Sequence, residues 1–354
     1  MPRAKTADAT RRPVAREPGV WTRLLGQFVT RAERLGVPRA QLLTRTQVTE
    51  QDLEDPDARV PVSRCYAVLE EAVSLSSDPL LHLRMTRDFE FESFDAVACL
   101  AMSCSTLRAS LRAMLRYQRL WSEGEGYHFT ESDGWGRIVY TPWGPARAGQ
   151  HLMAEVVAVD LAVNAAFMTG GAFDGPRVLL RHATQRGTKS AQRELFGGIA
   201  VERGRPRDEV WIRTRDLDRR MAPEGREAVY RFFERYLDEK VRAMPESLSA
   251  SVSQLLMRDV AKYDRLEVTA KALHMSPRTL QRKLAEHGTT LRTLADESRR
   301  ARALALIETG HSIAEIAWLL GFAEPSVFHR VFRRWTGTTP ELYRRELRAT
   351  WDRR

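Results

Sequence analysis

Cysteine is scarce: Cys65, Cys99 and Cys104 are the only three in 354 residues, and no two form a Cys-x-x-Cys pair. So sparse and odd a set argues against a disulfide framework and fits a reducing compartment, with each thiol serving as a small buried hydrophobe. No run of eighteen apolar residues occurs, so a membrane-spanning helix is not expected. The opening stretch MPRAKTADATRRPVAREPGV has no apolar middle, so it does not read as a secretory signal, and a cytoplasmic location is the expectation. Gly-x-Gly-x-x-Gly and P-loop patterns are missing, as is any repeat of 20–50 residues, which removes the common signatures of nucleotide enzymes and solenoids.

What is present is positive charge with an uneven distribution. The net charge is +10 and the pI about 9.9. Residues 248–354 hold 19 Lys/Arg against 12 Asp/Glu, residues 1–20 hold 5 against 2, and the long middle is balanced. A polyanionic partner engaged by the ends of the chain is the implication. The 43% hydrophobic content suffices for two domains with their own cores.

Residues 1–20 have little to bury and read as a disordered basic arm. From Trp21 the apolar period is helical in WTRLLGQFVTRAERLG, which stops at Gly36, and again in VSRCYAVLEEAVSLSSDP and STLRASLRAMLRYQRLW. GYHFTESDGWGRIVYTPWG then alternates about an Asp133-Gly134 turn and predicts a hairpin. A helix over about 151–168, three short strands in PRVLLRHA, GGIAVERG and DEVWIRTRDL, and a closing helix in PEGREAVYRFFERYLDEKVRAM complete an α+β domain over 21–245. RAMPESLSASVS, near 242–253, reads as a linker, and 248–348 as an all-α module followed by a 349–354 tail.

Within that module, SIAEIAWLLGF carries Ile313, Ile316, Ala317, Leu320 and Phe322 on one stripe, and Gly321 supplies the left-handed residue that ends a helix. The next helix starts near Glu324-Pro325. Phe328, Val331, Phe332 and Trp335 then form its buried face, leaving Ser326, His329, Arg330, Arg333 and Arg334 elsewhere on its surface. Two helices meeting at such a turn, the second cationic, suit a DNA major groove. VTAKALHMSPRTLQRKL repeats the pattern: Ala270, Leu273 and Met275 match Ala317, Leu320 and Phe322, while Leu280, Arg282 and Leu284 match Phe328, Arg330 and Phe332. Ser276-Pro277 caps this copy, whose Arg278, Thr279, Gln281, Arg282 and Lys283 offer donors to phosphates and base edges. A helical stretch, TLRTLADESRRARALALIETG, joins the copies.

These residues resemble the AraC/XylS-type transcription regulators, whose signature is similar to SIAEIAWLLGFAEPSVFHRVFRRWTGTTPELYRR, over about residues 248–348. The resemblance implies two helix-turn-helix subdomains bridged by a long helix, with recognition helices near 277–284 and 324–334 entering successive major-groove faces about 10 bp apart. His274 stands where the second copy has Gly321, and Ala323 where the family often has a capping Ser or Thr. The first 245 residues resemble, less sharply, the sensor domain of the ornithine-utilisation type of AraC-like regulator, which implies effector binding or self-association.

Other readings weigh less. A DNA-repair methyltransferase, an enzyme that also carries AraC-like modules, needs a cysteine cluster that SRCYAV, VACLAM and MSCSTL do not offer. His151-x3-Glu155 places two metal-ligating types on one helix face, yet two ligands make no site, and a solvated or hydrogen-bonded pair is the expectation. The charge run GRPRDEVWIRTRDLDRR is expected to be a solvated face, with DNA contact as the alternative. Tyr117, Trp121, Tyr127, Phe129, Trp135, Tyr140 and Trp143 are expected in a core, with an effector pocket as the alternative. A bacterial, sequence-specific DNA-binding regulator answering to a small-molecule effector is therefore the expectation, and a ligand-independent architectural protein the alternative. No catalytic residue, cofactor or metal is assigned. Promoter DNA, an effector, RNA polymerase and a second copy of the chain are the expected partners.

Overall fold

The computed structural model describes residues 17–55, 58–86, 95–221, 227–244, 248–286, 289–308, 311–336 and 338–345. The chain divides into two compact units, Pro18–Ala243 and one that takes in the residues from Met244 on.

The first unit opens with strand β1 (Gly19–Trp21), antiparallel to β2 (Arg59–Pro61) with Val20 opposite Val60. The expected disordered arm therefore ends before residue 19, because Val20 is fully buried and its strand has a partner; residues 1–16 lie outside the described residues. Helices α1 (Thr22–Arg34), α2 (Arg39–Thr46), α3 (Glu50–Glu54) and α4 (Val62–Ser76) surround this pair. α1 stops as its sequence predicts, with Gly36 at φ 91° and the Val37 amide bonded to the Ala32 carbonyl at 3.0 Å. α5 (Leu81–Arg84), α6 (Asp95–Met102), α7 (Leu107–Arg116) and α8 (Gln118–Trp121) follow. Thr106 caps α7, accepting the Ala109 amide at 3.2 Å.

A five-stranded sheet comes next, ordered β3 (Gly126–Ser132), β4 (Trp135–Thr141), β7 (Asp208–Arg213), β5 (Arg177–Leu179), β6 (Val201–Glu202). All neighbours are antiparallel except β5 and β6. Asp133 at φ 53° and Gly134 at φ 77° make the hairpin turn with two left-handed residues, as the sequence predicts. Against the sheet lie α9 (Ala148–Val159), a π-helical turn (Asp160–Asn164) that continues into α10 (Ala165–Met168), and α12 (Thr214–Leu217); α11 (Lys189–Leu195) precedes β6, and α13 (Glu227–Ala243) packs on α6 and α8. α9 is buried along nearly its whole length and approaches α4 so closely that a Cβ on Gly149 would stand 2.5 Å from the Tyr66 carbonyl oxygen.

One expectation is overturned here. The run 204–220 is no solvated face, because its centre is β7, the middle strand of the sheet. The two acids of β7 are buried yet satisfied: Asp208 accepts the Arg181 amide at 2.7 Å, and Glu209 accepts the Trp211 indole N–H at 2.5 Å. Arg137 and Arg177 stack on Trp211 at 4.5 and 5.0 Å from its ring centroid, so cations stand where aliphatic side chains would otherwise pack.

The second unit is helical: α14 (Leu248–Arg258), α15 (Val260–Tyr263), α16 (Leu266–Ala272), α17 (Pro277–Glu286), α18 (Leu291–Glu308), α19 (Ile313–Leu319) and α20 (Pro325–Thr336). The linker expected over 242–253 is shorter than its Ser content suggests, since α13 persists to Ala243 and α14 begins at Leu248, turning Val252 inward. Two apolar cores form. The first gathers Val252, Leu256, Ala270, Leu280 and Leu284, and the second Ile316, Ala317, Leu320, Phe328 and Phe332. α18 serves both, giving Leu294 and Ala295 to the first and Ala303 and Ile307 to the second. The eight helical steps from Ala295 to Ala303 hold the cores roughly 12 Å apart along its axis.

Candidate nucleic-acid interface

Both sequence copies fold to the same turn. In the second, the Gly321 amide bonds to the Trp318 carbonyl and the Phe322 amide to the Ala317 carbonyl, each at 2.9 Å. In the first, the His274 amide bonds to Lys271 at 3.2 Å and the Met275 amide to Ala270 at 2.8 Å. The left-handed residue is Gly321 at φ 76° in one and His274 at φ 54° in the other. His274 thus takes the conformation its position demands, at a strain glycine would not carry.

Each turn sets a second helix with its apolar side inward. Leu280 and Leu284 of α17, and Phe328 and Phe332 of α20, are buried to 1% exposure or less. Phe328 and Phe332 meet edge-on at 5.5 Å, and Tyr343 closes on Phe332 at 5.4 Å. The α17 N-terminus is capped by Ser276, whose hydroxyl accepts the Thr279 amide at 3.1 Å; α19 carries a capping box between Ser312 and Glu315.

The ten side chains expected to meet DNA fall into two groups. Arg278, Gln281, Ser326, Arg330 and Arg333 are exposed, and Arg278, Gln281, Arg330 and Arg333 form no ion pair among the described residues. The other side chains are engaged within the chain. Thr279 Oγ1 lies 2.8 Å from the capping Ser276 hydroxyl, and His329 Nε2 lies 3.2 Å from Glu341. Arg334 donates to Asp296 of α18 at 2.6 Å. Arg282 is exposed and Lys283 half-buried, each in contact with another group of the chain. Ser326 also reaches Glu324, at 3.1 Å.

Sequence reasoning missed what fixes one turn relative to the other subdomain. Arg299 of α18 donates through Nε to the Leu320 carbonyl at 3.1 Å and through Nη2 to the Asp264 carboxylate, and its guanidinium lies 5.8 Å from the Phe322 ring centroid. Asp264 belongs to the first subdomain, while Leu320 and Phe322 belong to the second. Only the spacing of an arginine amid SRRAR could have hinted at it, and that run has three candidates.

In the first unit, Tyr117, Trp121, Trp135 and Tyr140 are buried in packing, as the core reading expects. Tyr127, Phe129 and Trp143 are partly buried and pack against the same core, and Tyr127 and Phe129 also line, with Arg112, Leu115, His128 and Glu131, an open cavity of about 490 Å³. His151 and Glu155 do not pair. Glu155 is fully buried against His82 Nε2 at 2.6 Å, and His151 stacks on His182 with ring centroids 4.6 Å apart. No group of three His, Cys, Asp or Glu that could hold a metal, and no helix long and apolar enough to cross a membrane, occurs among the described residues.

Residues 36–221 match the model of the arabinose-binding N-terminal domain of AraC transcription regulators, and residues 269–346 match a helix-turn-helix domain. The chain belongs to the AraC-type family of DNA-binding transcription regulators. Among its relatives, the regulator VirS of Mycobacterium tuberculosis is 30% identical over 325 residues, covering 88% of this chain and 92% of its own. The ornithine utilization regulator of Pseudomonas aeruginosa is 27% identical over 312 residues, covering 87% and 91%. The crystal structure of the transcriptional regulator CdpR from Pseudomonas aeruginosa aligns with 86% of this chain and 96% of its own, at 22% identity and a TM-score of 0.41.

Proposed function

We propose that residues 248–348 bind promoter DNA through α17 and α20, placed in successive major-groove faces, and that residues 21–245 adjust this binding in response to a small-molecule effector. The observation that carries the reading is the repetition of one turn geometry, with Arg278 on one second helix and Arg330 and Arg333 on the other exposed and in no ion pair among the described residues, and one shared helix, α18, beneath both. Arg278 and Gln281 read base edges; Arg330 and Arg333 hold phosphates or groove edges, aided by Thr279, Arg282, Lys283, Ser326, His329 and Arg334. The protein acts in the cytoplasm as a homodimer, communicates with RNA polymerase, and regulates without catalysing a reaction.

Selection from random duplex DNA by the full chain tests this. Enrichment of one sequence supports a regulator, because base contacts create preference. Uniform recovery would instead indicate phosphate-only binding by a ligand-independent architectural protein.

A further inference from the structure

β3 is an outer strand of the five-stranded sheet, paired with β4 on one side and with no strand on the other among the described residues. Its hairpin fixes which backbone groups point outward. Asp133 and Gly134 are both left-handed and form a two-residue turn, so the flanking pair, Ser132 and Trp135, is joined by hydrogen bonds. The register runs unbroken from there to Gly126 opposite Thr141, and hydrogen-bonded pairs alternate with open ones. Counting back, Thr130 and His128 bond to β4, whereas Tyr127, Phe129 and Glu131 aim their N–H and C=O groups away from it. No other group of the described chain bonds to these outward groups.

The open cavity of about 490 Å³ lies along this edge. Its lining includes Tyr127, His128 and Phe129 in succession, and because neighbouring strand residues point to opposite faces, three in a row share a cavity at the strand's side. Leu115 and Arg112 of α7 form the other wall, so the edge is one side of a groove. Arg112 stands at its Glu131 end: Nη2 donates to Glu131 Oε1 at 2.9 Å, while Nε and Nη1 have no partner among the described residues. Glu131 also accepts from Arg108 Nε at 3.0 Å, and Arg108 has Asp218 as well, so Arg112 shares its counter-charge. Arg112 is 65% exposed and has donors left for a second carboxylate. A cavity of this volume suits a small molecule rather than a folded domain.

We propose that this groove binds the C-terminal end of a short peptide, which is the effector of the first unit. The proposal rests on the effector-responsive reading and names the chemistry of the effector. The peptide lies beside β3 as an added parallel strand. Its penultimate residue donates its N–H to the Tyr127 carbonyl and accepts the Phe129 N–H on its own carbonyl, as parallel pairing requires. The Glu131 side chain meets Arg112 of α7, and Phe129 shares its face of β3, so the last side chain of the peptide, opposite Phe129, falls between Phe129 and Leu115 and is apolar. The terminal carboxylate continues toward Glu131 and meets Arg112. The reverse chain direction would carry it away, toward Tyr127. A carboxylate alone leaves the strand edge unpaired and an amide alone leaves Arg112 unengaged, so the ligand needs both.

The test titrates the full-length protein with acetyl-Ala-Leu, using calorimetry for affinity and NMR for location. Three controls each lack one part: the C-terminal amide of the probe has no carboxylate, the analogue N-methylated at its alanine has no amide donor, and free leucine has no peptide bond. The backbone amide signals of Phe129 and Glu131 are expected to shift with the probe, and each control should bind about tenfold more weakly or worse. Arg112→Gln, a change at an exposed position, should weaken the probe by a similar factor and leave the C-terminal amide unaffected. No saturable shift at these amides, or undiminished affinity of the N-methyl analogue or of Arg112→Gln, overturns the site. A longer peptide with the same end that binds more than about tenfold tighter overturns the small effector and assigns the groove to the C-terminus of a protein. Sequence preference on random DNA, measured on the same preparations, separates the two readings: preference without peptide binding overturns only the effector chemistry, while absence of preference in the parent overturns the regulator reading itself.

Discussion

Gly321 lies against Ala261 so closely that a Cβ built on it would stand 3.0 Å from the Ala261 Cβ. Ala261 is on α15, in the first helix-turn-helix subdomain, and Gly321 is the turn residue of the second. The glycine therefore has two duties: it ends α19 in a left-handed conformation, and it leaves room for the other subdomain. Gly321→Ala should destabilise the second unit by about 1–2 kcal/mol from backbone strain alone, before any displacement of Ala261. Chemical denaturation checks this, and a variant as stable as the parent would refute the close approach.

Arg330 and Arg334 should behave differently although both are cations of α20. Arg330 is exposed and unpaired among the described residues, whereas Arg334 is tied to Asp296 at 2.6 Å. Arg330→Ala is expected to lower affinity for the selected DNA and reduce the slope of log affinity against log salt by about 1. Arg334→Ala should leave that slope nearer the parent value. Fluorescence anisotropy across a salt series distinguishes them.

Phe328→Ala should destabilise the module by about 3–5 kcal/mol, since Phe328 is fully buried between Phe322 and Phe332. Unchanged stability would place the apolar face of α20 elsewhere.

The Glu155 network sets an acid limit on the first unit. Burial opposes its ionisation, but the His82 hydrogen bond and the charges of His82, Arg203 and His182 win, taking it from 4.5 down to about 2. A carboxylate lowered in the folded state contributes stability above pH 4.5 that is lost as pH falls toward 2. His182, lowered from 6.5 to about 4 chiefly by burial, acts in the same direction: the unfolded chain takes up its proton first, so stability declines as pH falls from 6.5 toward 4. Urea denaturation from pH 7 downward should show both phases. Glu155→Gln should reduce stability at pH 7 by about 3–5 kcal/mol, because it leaves Arg203 buried without its counter-charge, and should flatten the lower phase.

The helix-turn-helix pair was legible because its signal is local. Ala270 and Ala317, the turn residues His274 and Gly321, and the i, i+3, i+4, i+7 stripe of α20 all lie within a few turns of one another. The Asp133-Gly134 hairpin was legible for the same reason. What escaped depends on distant partners. β1 and β2 have three residues each and exist only because they pair. β7 looks solvated until Arg137 and Arg177 are placed on Trp211. The sequence put Glu155 with His151, one turn away, whereas the fold gave it His82, Arg203 and His182 from three other segments. Arg299 is similarly invisible, since its role lies in joining Asp264 to Leu320.

Hydroxyl-radical footprinting on the selected DNA site tests the central claim most directly, that α17 and α20 read separate groove segments held in register by α18. Two protected stretches about one helical turn apart are expected, with Arg278→Ala erasing one and Arg330→Ala the other. A single protected stretch, or a uniform weakening of the whole footprint by either variant, would contradict the account.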